Sequence, residues 1–344
     1  MLRSCFLSRR AVLPFALLAH LAPAAQSLAE EPQAGEAADR AKQLVIVSFD
    51  GAADNRLWER SREIAKRTGA RFTYFLSCTH LIERAARDSY KGPGVKTGRS
   101  NVGFAPTAED AAIRLNHIWQ AHLEGHEIAN HGCGHFDGKD WTSADWLQEF
   151  QNFDRVLKGA WAANGVADQE PQGWADLVDN GISGFRAPYL SQSQALSTAQ
   201  RAKGLAYDAS QVVRGPTPVD TSGKIASFGL PLIPEGPKNR PIIAMDYNLF
   251  VRHSLAVENP SRSAEFEARS YDAFRQAFDR EYDGSRVPLQ LGFHFVEMNG
   301  GAYWRAMERL LDEVCHKPDV ACVSYAEALN RLRPDDREQQ SSGL

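Results

Sequence analysis

The sequence predicts an α/β fold with a mostly parallel sheet, either open or closed into a barrel, and three observations point there. Short apolar, β-branched runs alternate with helical stretches from about residue 42 to about residue 334. The first run, Gln43 to Phe49 (QLVIVSF), is apolar without alternation, as a strand covered on both faces should be. Titratable residues recur just after the runs, at what would be the C-terminal edge of the sheet. With no internal repeat and no linker long enough to divide the chain, one domain over 42–334 is expected.

The elements follow in order. After the first strand, residues 54 to 68 place Leu57, Trp58, Ile64 and Ala65 on one helical stripe, and Gly69 supplies a stop. Arg71 to Ser77 reads as a second strand. The polar stretch from Arg84 to Phe104 has no period and is expected to be a surface loop forming one wall of a binding site. Thr107 and Asp110 bracket a helix start, the helix runs to about Leu123, and a short strand covers His126 to Ala129. Helices are expected at Ser143 to Ala163, Gln192 to Lys203, 261 to 282, Tyr303 to Val314 and 325 to 332. Strands are expected at Ser183 to Arg186, Leu205 to Ala209, Pro241 to Met245, Leu289 to His294 and Val320 to Ser324.

Ahead of this domain, residues 1–29 carry Arg3, Arg9 and Arg10, an apolar run from Ala11 to Leu21 and small residues at Ser27-Leu28-Ala29, the layout of a cleaved secretory signal peptide. Pro14 and His20 interrupt the run, which falls short of the roughly 20 apolar residues that span a bilayer. No stable membrane insertion is therefore expected after cleavage, and the chain should be periplasmic or secreted. Ser8-Arg9-Arg10 also resembles a twin-arginine signal, and the sequence does not choose between that route and the general secretory one. Residues 30–41 read as a flexible tether and 335–344 as a disordered tail. Of 344 residues 43% are hydrophobic and 24% charged, which excludes a disordered chain. Removing 1–29 leaves 36 basic against 43 acidic residues, a net charge of −7, which argues against a nucleic-acid backbone as partner. Four cysteines remain after the signal. Cys315 and Cys322 flank a turn and should pair locally, which leaves Cys78 and Cys133 to each other.

The residues at the strand ends suggest a chemistry. His131 and His135 are spaced i, i+4, which lets two imidazoles reach one divalent ion. Asp50, after the first strand, would be the third ligand of an open, catalytic set in which water bound to the ion has its pKa lowered toward about 7. Its bland alternative is a helix cap, a role for which Asp54 lies nearer the helix start. His294, at the end of PLQLGFH, would be a general acid, and Asp208 would orient its ring and raise its pKa.

Taken together, these segments resemble the polysaccharide deacetylase family, also called carbohydrate esterase family 4, across about Val45 to Leu332. Ser48-Phe49-Asp50-Gly51 is similar to its first motif, Gly125-His126-Glu127-Ile128-Ala129-Asn130-His131 through His135 to its second, and Arg186-Ala187-Pro188-Tyr189 to its third. Tyr207-Asp208-Ala209-Ser210 is similar to the fourth and Leu291-Gly292-Phe293-His294 to the fifth. The resemblance implies a distorted (β/α) barrel and metal-dependent removal of N-acetyl groups from a glycan such as chitin, peptidoglycan or an exopolysaccharide. Zinc is the default ion, with cobalt, nickel or manganese as alternatives. It also implies that Arg186 holds the catalytic carboxylate, that Pro188 and Tyr189 face the substrate with the Tyr189 N–H stabilising an oxyanion, and that Asp208 tunes His294.

The chain departs from this pattern at one place. The family usually has two adjacent acids in its first motif, one the base and the next a ligand, whereas here Gly51 follows Asp50. Asp50 is assigned to the metal, and the base is then Asp50 through its second oxygen, Asp54, or a carboxylate not yet placed. The fourth motif also lacks the family's frequent tryptophan. Two other readings share these residues: a glycan-binding protein with a vestigial site, and an amidase acting on a small non-sugar C–N substrate. Trp141, Trp146, Tyr303 and Trp304 are candidates for stacking on sugar rings, with the core as their alternative.

Overall fold

The unbroken apolar run forms strand β1 (Gln43–Gly51), buried over all but its last residue. This computed structural model describes residues 41–333. The expected signal segment and C-terminal tail lie outside the described residues, as does the tether except for residue 41. Strand β8 (Leu289–His294) runs along one edge of β1, pairing Val45–Asp50 with Leu289–His294. The other edge is shared, with β9 (Val320–Val323) beside Gln43–Ile46 and β2 (Thr73–Leu76) beside Ser48–Gly51. All three pairings are parallel, which explains why β1 needs no polar face.

From β2 the sheet continues through β3 (Glu127–Asn130), β4 (Gly184–Phe185), β5 (Tyr207–Val213), β6 (Ala226–Glu235) and β7 (Arg240–Ile243). The β6–β7 pair is antiparallel. Just past β7 the chain turns back: Ala244 N–H donates to Pro231 O at 3.0 Å, and Gly292 N–H of β8 donates to Ala244 O at 2.9 Å. Those two bonds carry the curled sheet round to β8 as a distorted (β/α) barrel. Gly292 suits the seam because a Cβ there would come 2.8 Å from Met245 Cε.

Side-chain alternation sorts β1 into two faces. Leu44 and Ile46 point inward with Phe75, Ala129, Tyr207 and Tyr325, while Val45, Val47 and Phe49 join Trp58, Ile64 and Leu310 of the helical layer. Each such large apolar side chain stabilises by about 1.5–3 kcal/mol when fully buried. Ser48 and Asp50 continue the inward row, so the polar end of β1 opens at the C-terminal mouth of the barrel.

The helices are α1 (Asn55–Thr68), α2 (Ala108–Leu123), α3 (Ser143–Ala163), the short α4 (Trp174–Asp176), α5 (Gln194–Lys203), α6 (Asp246–Ser254), α7 (Ser263–Asp283), α8 (Met298–Val314) and α9 (Tyr325–Leu332). Their ends follow the capping signals. Thr107 accepts from Asp110 N–H at 3.1 Å, Thr142 and Asp145 form a reciprocal capping box, and Gly69 ends α1 at φ 72°. Both cysteine pairs are bonded, Cys78 to Cys133 and Cys315 to Cys322. Among the described residues, no helix is long and apolar enough to cross a membrane. Strand β6 and helix α6 were not expected. Pro231 and Pro234 interrupt β6 as a sequence signal, and β6 tolerates them beside a bulged partner and a short antiparallel neighbour.

Candidate functional site

A cleft of about 460 Å³ opens at the barrel mouth, lined by Asp50, His131, His135, Tyr189, Tyr247 and His294 among others. Strand register explains the convergence. Asp50 and His294 are directly paired across β1 and β8, His131 follows the last residue of β3, and Arg186 follows β4.

Arg186 is fully buried and bonded on every side. Its Nη1 donates to Asp50 Oδ1 and to Ser48 Oγ, both at 2.8 Å, Nη2 to Tyr325 Oη at 2.8 Å, and Nε to Ala209 O at 3.1 Å. The guanidinium also lies 4.4 Å over the Phe75 ring. Burial alone would push the Asp50 carboxyl up, but the Arg186 guanidinium beside it holds it below the usual carboxylate range. Asp50 is therefore a charged acceptor with one oxygen tied to Arg186.

The other oxygen faces His131. Oδ2 of Asp50 is 3.9 Å from His131 Nε2, while His131 Nδ1 is 2.8 Å from Arg186 O. A carbonyl only accepts, so Nδ1 carries the proton of the neutral ring and Nε2 presents its lone pair toward a carboxylate. Burial lowers the His131 pKa and keeps it neutral, and burial together with His131 holds His135 down at about 3. Two like lone pairs directed at each other across that gap suit a shared cation, and an imidazole whose far nitrogen bonds a carbonyl is oriented as a metal ligand is. The His135 ring lies 4.9 Å from that of His131. The donor chemistry fits a divalent ion, although among the described residues no three His, Cys, Asp or Glu side chains are already drawn into a cage.

The loop bearing the two histidines is pinned from below. Buried Glu149 of α3 accepts Cys133 N–H at 2.8 Å, Gly134 N–H at 3.0 Å and Tyr90 O–H at 2.8 Å, and the Cys78–Cys133 bond ties the same loop to the end of β2. Left-handed φ values gather at the mouth, at Ala52 (55°), His135 (53°), Tyr189 (57°) and Leu190 (56°). Such conformations cost energy and concentrate where side chains must be aimed.

Beside Asp50 on the neighbouring strand, His294 Nδ1 is 2.7 Å from Asp246 Oδ1, and the His294 backbone N–H donates to Asp246 Oδ2 at 2.8 Å. Burial would lower the His294 pKa, but Asp246 raises it above the ordinary value by charge and hydrogen bond. Asp246 was not singled out from the sequence. It begins α6 directly after the expected strand Pro241 to Met245, so the strand-end criterion that selected Asp50 would have found it. Asp208 does not orient His294: its carboxylate accepts Ser210 N–H at 2.6 Å and the Gln200 amide, and burial raises its pKa. The carboxylate that pairs with His294 is therefore Asp246, and Tyr247 follows it in α6.

Other expected residues sit elsewhere. Asp54 caps α1, accepting Arg56 N–H at 2.8 Å and pairing with the Arg56 side chain, and it does not line the cleft. Pro188 is buried beside Gly132 and supports the histidine loop instead of facing substrate, whereas Tyr189 is 60% exposed at the cleft. Trp146, Tyr303 and Trp304 are core residues, and Trp141 packs on Trp146. The exposed aromatic rings at the mouth are Tyr189 and Tyr247, 5.1 Å from His135 and 6.0 Å from His294 between ring centroids. The loop after Arg84 does form part of the wall, through Val102.

No protein-family model matches the chain, and no curated protein matches it. Solved structures do. A Mycobacterium smegmatis protein assigned as a polysaccharide deacetylase superposes with a TM-score of 0.50 at 15% identity, over 87% of this chain and 93% of that one. The likeness is one of fold. A Pseudomonas aeruginosa PAO1 protein with a similar assignment gives 0.48 at 13% identity, over 86% and 92% of the two chains. A carbohydrate esterase family 4 pseudoenzyme from Bacillus anthracis gives 0.43 at 12% identity, over 84% and 66%.

Proposed function

We propose that the chain is a metal-dependent hydrolase that removes N-acetyl groups from a glycan, exported to the periplasm or beyond. The observation that carries this reading is a pairing of opposites side by side in one cleft: Asp50, whose pKa Arg186 holds down, and on the next strand His294, whose pKa Asp246 raises. Amide hydrolysis needs a proton taken from water and a proton given to the departing amine, and two groups with pKa values pushed apart supply both. Asp50 accepts the first proton and His294 Nε2 donates the second. The strained turn at Tyr189 would present its backbone N–H to the developing oxyanion. His131 and His135 would hold the ion, zinc by default, with Asp50 Oδ2 as the carboxylate nearest to them. Such an ion, when bound, polarises a carbonyl and lowers the pKa of water.

Tyr189 and Tyr247, exposed at the mouth, suit the faces of a sugar ring and favour an acetylated glycan over a small non-sugar amide. The fold shared with a protein assigned as a polysaccharide deacetylase supports the same class. Two disulfides suit an oxidising compartment and support export. The test is acetate release from N-acetylated chitooligosaccharides and from peptidoglycan, before and after chelation and again with zinc restored. Release that disappears with chelation and returns with zinc is expected. Retained glycan binding without release would instead make this a binding protein with a vestigial site, and release only from small amides would make it an amidase.

A further inference from the structure

Asp208 takes no part in the chemistry described above, and its surroundings give it another use. It lines a second cavity of about 490 Å³, comparable in size to the cleft, formed by residues of α5, β5 and β6 on the flank of the barrel. Oδ1 of Asp208 accepts Ser210 N–H at 2.6 Å, and Oδ2 accepts the Gln200 amide. A carboxylate offers about four lone-pair sites, so acceptor capacity remains.

The rest of the lining is polar and balanced in charge. Arg201 and Asp208 supply one charge of each sign, while Gln192, Gln211 and Ser227 add two amides and a hydroxyl. Gln192 Nε2 donates to Ser210 O at 3.1 Å, and Ser227 Oγ donates to Gln211 Oε1 at 3.2 Å, which fixes both amides. Buried Leu196 and Ala226 contribute a small apolar patch. This mixture selects a class of ligand. An anion would need an excess of cations, and an apolar molecule would need mostly apolar walls. Sugar hydroxyls both donate and accept, as the amides and the hydroxyl of this wall do, and the C–H face of a sugar suits Leu196 and Ala226.

The flank cavity is also close to the cleft. Leu190 lines the cleft and Gln192 the flank cavity, and two residues of chain reach at most about 7 Å. The partition between them is fixed. Ser191 Oγ donates to Asp137 Oδ1 at 2.6 Å, and Ser210, which bonds Asp208, accepts the N–H of cleft residue Ala187 on its Oγ at 2.8 Å.

Building on the function proposed above, we propose that the flank cavity is a second glycan subsite, holding a neutral sugar unit of the same chain whose N-acetyl group lies in the cleft. Arg201, Gln211 and Asp208 bond its hydroxyls. A chain held at two places gains effective concentration, so affinity rises with length once both are reached.

The experiment measures binding of N-acetylated chitobiose and chitohexaose by calorimetry, on His294→Ala incubated with zinc, which slows turnover, and on the same protein carrying Arg201→Ala and Gln211→Ala as well. Both added substitutions remove exposed side chains, and the length dependence of the parent needs neither. The six-unit chain is expected to bind about tenfold or more tighter than the two-unit chain, with most of that advantage lost in the combined variant. Equal affinity for the two lengths, no binding of the longer chain, or an advantage untouched by the substitutions overturns the flank subsite. Acetate release by the wild type is scored separately. Release without the length effect leaves the deacetylase reading standing alone, and the length effect without release supports the subsite and overturns that reading.

Discussion

The two walls of the cleft are built differently. The Asp50–Arg186 wall belongs to the barrel interior: Arg186 is completely buried, and its bonds run to four groups, three on strands β1 and β5 and one on α9. On the adjoining wall, formed by the neighbouring strand, His294 keeps 29% of its side chain exposed, and its partner Asp246 stands at the start of a helix that follows the seam of the barrel. One wall fixes a charge by burying it, and the other sets a proton by pairing a reachable ring with a buried acid. A base that must stay ionised gains from the first design. An acid that must meet a leaving group needs the second.

Breaking the rigid wall should have the largest effect. Arg186→Ala leaves Asp50 buried without its cation, which should cost about 3–5 kcal/mol in denaturant unfolding. It should also move the Asp50 carboxyl upward, because burial would then act unopposed. Loss of stability below about 1 kcal/mol would show that water or another cation already screens Asp50. The tether between the histidine loop and β2 comes next. Cys78→Ser with Cys133→Ser opens a closure spanning 55 residues and should destabilise by about 4 kcal/mol if chain entropy dominates, with zinc retention weakened as the loop loosens.

The exposed wall should respond in pH dependence more than in stability. With His294 as the proposed acid, activity should fall as pH rises through its pKa. Asp246 holds that pKa above the ordinary value. Asp246→Asn should therefore shift the falling limb of the kcat/KM profile to lower pH, and an unmoved limb would remove His294 from the acid role. The smallest effect belongs to Asp54, which belongs to neither wall. Asp54→Ala removes a helix cap and should cost about 1 kcal/mol of stability with the pH profile unchanged. A large loss of turnover would return Asp54 to the list of candidate bases.

The same contrast explains what could be read from the sequence. Asp50, His131, His135, Arg186 and His294 end strands that are apolar, regular and local in their signals, and all but Arg186 line the cleft directly. What escaped was the seam. Strand β6 carries two prolines and α6 follows β7 with only two residues between, so neither shows a clean period, and Asp246 was lost with them. Asp208 meets the same strand-end criterion, but its side chain is engaged by Ser210 and Gln200.

The central claim, a base and an acid acting side by side in one cleft that holds a metal ion, is tested most directly by His294→Ala beside the wild type. Acetate release from an N-acetylated chitooligosaccharide and zinc content would be measured on the same samples. The account predicts turnover lower by about 100- to 10,000-fold with zinc content unchanged. Equal release from both proteins, or zinc lost together with the imidazole, would contradict it.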